Sequence, residues 1–165
     1  YGEAYALGEK IALENPKEYF FTLRAAYLAY LAGKYTRSFD LYQNALLLKP
    51  DALEPRLGQL LPLMALGKYK QTEMAAHAIL RSDPKNYTAR IKLAYALYLM
   101  GDFTRSERQY AELAAEFPSD ATVLMGLGWA QLKQGKKSAA LQQFYRVKMM
   151  FPDNAYADEG IKWAK

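Results

Sequence analysis

Apolar side chains recur at helical spacing in short stretches along the chain, and each stretch ends at a residue that a helix does not run through. Glycines stand at Gly33, Gly67, Gly101 and Gly135, at one constant interval. Prolines stand at Pro16, Pro50, Pro84, Pro118 and Pro152, at that same interval. Each glycine lies between two apolar-periodic stretches, where a left-handed residue ends a helix at little steric cost. Each proline follows the second stretch, where a helix cannot continue. The pattern predicts an all-α chain of antiparallel helix pairs, one pair per period. Full repeats are predicted at 19–52, 53–86, 87–120 and 121–154, all in one domain. Residues 1–18 read as a partial repeat holding a second helix only, and 155–165 as the start of a following or capping helix. The native protein is expected to extend beyond this chain.

Asp51, Asn86, Asp120 and Asn154 follow shortly after a proline and are expected to cap the helix that begins there. Position twenty of the repeat holds Ser38, Thr72, Ser106 and Ala140, all small, as close approach of two helices requires. Pro62 falls inside the first helix of the second repeat, removes one internal hydrogen bond and is expected to kink it. The first and third repeats are the most alike. Tyr27, Tyr30 and Thr36-Arg37-Ser38 recur two repeats on as Tyr95, Tyr98 and Thr104-Arg105-Ser106.

The residues around these two series resemble a known family. The fourth repeat carries Leu127-Gly128, Gly135, Ala140, Phe144 and Pro152. The third carries Leu93-Ala94, Gly101-Asp102-Phe103, Ser106, Tyr110 and Pro118. The first gives Gly33-Lys34-Tyr35, Ser38, Tyr42, Ala45 and Pro50, and the second Gly67-Lys68-Tyr69, Thr72, Ile79 and Pro84. On these positions, and on the length of the period, the chain resembles tetratricopeptide-repeat proteins over four full units. The resemblance implies a right-handed superhelical solenoid of stacked helix pairs whose first helices line a concave face. One departure is the bulky apolar residue early in the first helix, replaced by Thr22, Arg56 and Arg90 and kept only as Leu124.

By the same resemblance, unit positions five, nine and twelve face the groove, and their spacing puts them on one helical stripe. They read as three columns: Leu23, Leu57, Ile91, Met125; then Tyr27, Leu61, Tyr95, Trp129; then Tyr30, Met64, Tyr98, Leu132. Phe20 extends the stripe at one end, and Lys133 and Lys92 lie at its rim. Family members that hold the C-terminal carboxylate of chaperone tails place Lys, Arg and Asn on this stripe, because an anionic end needs charge-assisted donors. Those donors are missing here, which argues against that ligand. An apolar, aromatic lining suits a hydrophobic or amphipathic segment of a protein partner. Two competing readings stay open. The stripe could be ordinary interhelical core, or the groove could be filled by another copy or by a segment of the full-length protein.

Composition narrows the chemistry. The 165 residues are 52% hydrophobic and contain no cysteine, so disulfides, thiolate zinc sites and a cysteine nucleophile are ruled out. The longest apolar stretch, 25–32, is far short of the roughly 18 to 20 residues of a membrane span. The net charge is +5, a mild preference for acidic partners, but the cations are scattered rather than massed as in nucleic-acid binders. RNA binding, through aromatics interleaved with Arg24, Arg56, Arg90 and Lys92, is the weaker alternative. His77 is the only histidine, which argues against a transition-metal site or a catalytic triad. Gly126-Leu127-Gly128 lacks the third glycine of a dinucleotide fingerprint, and Gly135-Lys136-Lys137-Ser138 lacks the upstream glycine of a P-loop. Asp153, Asp158 and Glu159 lack calcium-loop spacing and are expected to favour the start of the last helix through its dipole.

The expected function is a non-enzymatic scaffold for protein–protein interaction, without cofactor or metal. The resemblance, with regular prolines and no cysteine, points to a bacterial protein. It leans toward the periplasmic side of the cell envelope, with the cytoplasm left open.

Overall fold

The computed structural model describes residues 1–165 and contains helices and turns only. In chain order these are α1 (Gly2–Glu14), α2 (Tyr19–Leu31), α3 (Tyr35–Leu48), α4 (Leu53–Gly58), α5 (Leu60–Ala65) and α6 (Tyr69–Ser82). They continue as α7 (Tyr87–Leu99), α8 (Phe103–Glu116), α9 (Ala121–Lys133), α10 (Lys137–Met150) and α11 (Ala155–Ala164). No helix is long and apolar enough to cross a membrane. Two compact units result, 1–89 and 90–165, with the boundary inside α7.

The turn within each pair depends on glycine. Gly33, Gly67, Gly101 and Gly135 all adopt φ between 70° and 81°, a left-handed conformation that costs other residues energy. The N–H of the next residue then folds back onto a carbonyl of the preceding helix. Lys34 donates to Ala29, Lys68 to Leu63, Asp102 to Leu97 and Lys136 to Gln131, at 2.9 to 3.0 Å. This closure satisfies carbonyls that a helix end leaves open.

The small position twenty is fully buried in all four repeats. Ser38 Oγ donates to the Ala26 carbonyl at 2.8 Å, and Ser106 Oγ to the Ala94 carbonyl at 2.9 Å. A hydroxyl thus joins the two helices of a pair. Thr72 Oγ1 instead donates to the Lys68 carbonyl, one turn back along its own chain, at 3.2 Å. The helix carrying Pro62 is interrupted at Gln59, giving α4 and α5. Pro62 has no N–H for the Gly58 carbonyl one turn earlier, so the break follows from its chemistry.

Asp120 and Asn154 cap α9 and α11: Asp120 accepts from Thr122 and Val123, and Asn154 from Ala157. Asn86 Oδ1 accepts from Ala89 N at 3.0 Å. Asp51 does not cap. The residue at the start of α4 is Ala52, without a side-chain hydrogen bond. Pro50 is followed directly by Asp51, too early for the role, and Ala52 holds the register position of the other caps.

The residues that replace the family's bulky apolar position find partners. Thr22 is buried and donates to the Glu18 carbonyl at 3.2 Å. Arg56 donates to the Pro50 carbonyl at 2.7 Å. Arg90 is 7% exposed and its guanidinium lies 2.8 Å from Glu116. Leu124 is fully buried beside Val147 and Ala157. In the first unit Ala12, Ala25, Ala26 and Ala29 pack with Leu41 and Tyr42. In the second, Phe144 is completely buried with Ala140 and Ala164, which contributes about 2 to 3 kcal/mol through area alone.

Candidate functional site

The predicted stripe residues lie on the first helices of the pairs, and none of them is fully buried. In the first unit Phe20 is exposed, and Tyr27 is exposed beneath the Arg24 guanidinium, 5.8 Å from its ring centre. Tyr30 is half-buried against Tyr35, with ring centres 5.7 Å apart. Leu23 packs onto the α1–α2–α3 core, while Leu57, Leu61 and Met64 are half-buried on α4 and α5. Tyr42 is buried in the core of this unit, with Tyr27 and Tyr30 as its electrostatic neighbours. Burial is the main cause that pushes the Tyr42 pKa up to about 12, and these two neighbours add to it.

In the second unit the stripe closes into a cleft of about 540 Å³, within the usual range for binding pockets. Ile91, Tyr95 and Tyr98 from α7 form one side, and Trp129 from α9 forms the other. Tyr95 and Tyr98 lie nearly parallel, 17° between ring planes and 6.5 Å between centres. Trp129 is braced edge-on against buried Phe144 at 5.4 Å, which holds the indole at the cleft wall. Gly126 and Tyr110 also line the cleft, with Lys92 and Thr122 as its remaining polar groups. Burial raises the Tyr98 pKa above the ordinary tyrosine value, and Tyr95 adds to the shift.

Two further cavities adjoin the same side chains. One of about 500 Å³ shares Tyr98 and Trp129 and brings in Leu132, Lys133, Lys137, Glu159 and Trp163. The other, about 320 Å³, joins Met125 and Trp129 to Thr122 and Tyr156. Trp129 therefore stands on all three.

Several lining residues lie outside the predicted stripe. Trp163 stands one full repeat after Trp129, and Glu159 one after Met125, so a further step along the columns reaches both. Tyr156 is likewise one repeat after Thr122. Tyr110 and Gly126 were hidden differently. Tyr110 belongs to a second helix, outside the first-helix stripe. Gly126 offers the cleft a bare backbone rather than a side chain. His77 is exposed on α6, its Nε2 4.0 Å from Glu73 Oε1. Asp158 lies in the first turn of α11 and accepts a hydrogen bond from Lys148 at 2.8 Å.

Residues 92–155 match a family model described as tetratricopeptide repeat. A search of curated protein sequences finds no match. Among solved structures, a tetratricopeptide repeat protein from Parabacteroides merdae superposes with a TM-score of 0.76 at 18% identity, over 99% of this chain and 65% of that one. This chain thus spans just under two thirds of that protein. YrrB, described as a TPR protein with an unusual peptide-binding site, gives 0.80 at 16% identity, over 98% and 83% of the two chains. MamA from Desulfovibrio magneticus gives 0.82 at 13% identity, over 88% and 82%. At these identities the likeness establishes a shared fold of helix pairs.

Proposed function

We propose, taking as premise that this chain is a tetratricopeptide-repeat protein, that it is an interaction scaffold and that its second unit grips an apolar or amphipathic segment of a partner protein. The observation that carries the reading is the Trp129 wall. A large aromatic braced by a buried ring faces two tyrosines across a preformed cleft. Tyrosine and tryptophan give wide contact area for little loss of rotamer freedom, so burying them drives association efficiently. Ile91, Met125 and Leu132 extend that apolar surface, and Lys133 lies at its edge. In the same reading Phe20, Leu23, Tyr27, Tyr30, Leu57, Leu61 and Met64 offer the first unit's share of contact area. A peptide-binding site is also what the description of YrrB reports for that protein.

Screening the purified chain against a displayed peptide library, with Tyr95→Ala and Trp129→Ala as controls, tests the proposal. Selected peptides are expected to lose about 1 to 4 kcal/mol of affinity on either substitution while the helical circular dichroism is retained. Unchanged affinity in both folded variants removes the cleft from the function. Size-exclusion chromatography with light scattering over a dilution series separates the alternative. An oligomer that dissociates on Trp129→Ala makes a second copy the occupant. Binding of RNA with a steep salt dependence would replace the protein-partner reading altogether.

A further inference from the structure

The polar side chains that line the cleft all carry a hydrogen-bond donor, and none is an acceptor only. Lys92 and the Trp129 Nε1–H can only donate, while the hydroxyls of Tyr95, Tyr98, Tyr110 and Thr122 both donate and accept. No carboxylate or carboxamide lines this cavity. Of the lining groups, Lys92, Tyr95, Tyr98 and Trp129 make no side-chain hydrogen bond or ion pair within the protein. The adjoining cavity adds Lys133 and Lys137, also without ion-pair partners, against a single carboxylate, Glu159. The charged groups on the two connected cavities are therefore three lysines and one acid.

This inventory discriminates between occupants. An amphipathic helix has spent its backbone carbonyls on its own hydrogen bonds and would press an apolar face against the donors. Each donor dehydrated without a partner costs about 1 to 3 kcal/mol. An extended segment exposes a carbonyl at every residue. If it is rich in proline it also has few N–H groups to match against a lining whose only side-chain acceptors are hydroxyls. Proline-rich chains hold the polyproline II form before binding, so little conformational entropy is lost, and aromatic-lined grooves suit them. The unpaired lysines add a charge requirement.

We infer that the occupant of the Tyr95–Tyr98–Trp129 cleft is an extended, proline-rich segment of a partner protein that carries acidic residues beside its prolines. The inference rests on the scaffold reading above and deepens it. The tyrosine and tryptophan donors hold the segment's carbonyls, proline rings cover the aromatic faces, and the acidic flank meets Lys92 or the Lys133–Lys137 pair.

Fluorescence anisotropy with three labelled synthetic peptides of equal length tests it: an oligoproline ending in glutamates, the same oligoproline ending in lysines, and a leucine–alanine amphipathic helix. The glutamate peptide is expected to bind best, and its lysine counterpart about tenfold more weakly. Tyr95→Phe with Tyr98→Phe removes two donors while keeping both rings, and is expected to weaken the glutamate peptide by about tenfold. Lys92→Gln, Lys133→Gln and Lys137→Gln together are expected to erase the preference between the two oligoprolines. Tighter binding of the helical peptide, sensitive to Trp129→Ala, overturns the inference and leaves the scaffold reading standing. Full affinity in the tyrosine-to-phenylalanine variant overturns it as well, as does failure of every oligoproline to bind.

Discussion

The ring of Tyr110 lies across the backbone of Gly126: a β-carbon on Gly126 would stand 2.3 Å from both Cε1 and Cζ of the ring. The same separation in sequence, and the same contact, recur at Tyr42 with Gly58 and at Phe144 with Gly160. A second helix of one repeat and the first helix of the next thus approach each other where a large ring meets a bare backbone. In the second unit this approach also sets one surface of the cleft.

Gly126→Ala is expected to destabilise the second unit by about 1 to 3 kcal/mol, because a buried ring cannot move aside cheaply. The gain in helix propensity offsets only part of this. In a Tyr110→Ala background the same change should become neutral or favourable. Chemical denaturation of the four proteins of that cycle measures the coupling, and simple additivity would show that the ring is not what excludes the methyl group.

Alkaline stability should depend on Tyr42. Its folded pKa, raised by burial to about 12 from an ordinary value of 10.0, favours the protonated phenol. The contribution is fully present below pH 10 and is lost as pH rises through the folded value. A shift of this size corresponds to about 2 to 3 kcal/mol. Tyr42→Phe should match the parent chain at pH 7 and become the more stable protein as pH approaches 12. Parallel denaturation curves across that window test it.

Acid stability should depend on Glu107. Burial acts to raise its pKa, but hydrogen bonds from Lys136 at 2.5 Å and Gln134 at 2.8 Å outweigh burial and lower it. A depressed carboxylate contributes above its unfolded value, 4.5, and loses that contribution as pH falls through the folded value. Glu107→Gln is therefore expected to cost stability at neutral pH, with the difference shrinking below about pH 4. A constant difference between pH 7 and pH 3 would place the effect outside this carboxylate.

The Arg90–Glu116 pair should be replaceable but not breakable. Leu124 fills the equivalent position in the fourth repeat, so Arg90→Leu is expected to be neutral or stabilising. Glu116→Ala leaves the buried guanidinium unpaired and should cost about 1 to 2 kcal/mol, less than a fully buried pair because Glu116 is half-exposed. Thermal melts of both variants give the comparison.

The repeat was legible because its signals are local. A left-handed turn needs glycine, a helix end accepts proline, and the closest interhelical contact admits only Ser, Thr or Ala. The first two requirements are each met by one residue type at one register position, as at Gly33 and Pro50, and the third by small residues, as at Ser38. The cap at Asp51 failed because capping geometry tolerates no slip in register, and Ala52 occupies the required position.

By itself the sequence determined the helix pairs, their turns, the broken helix at Pro62 and the aromatic stripe. These follow from backbone conformation and helical period, which depend on near neighbours. Only the tertiary structure decided which part of the stripe becomes a cleft. Tyr30 packs against Tyr35, and Tyr98 packs in the same way against Phe103, but only Tyr95 and Tyr98, which stand two repeats after Tyr27 and Tyr30, also line open space together with Trp129. That outcome turns on the volumes of side chains brought together from different helices. Phe144 holds the indole upright and the Tyr110 ring lies over Gly126, and a sequence period carries no record of such volumes.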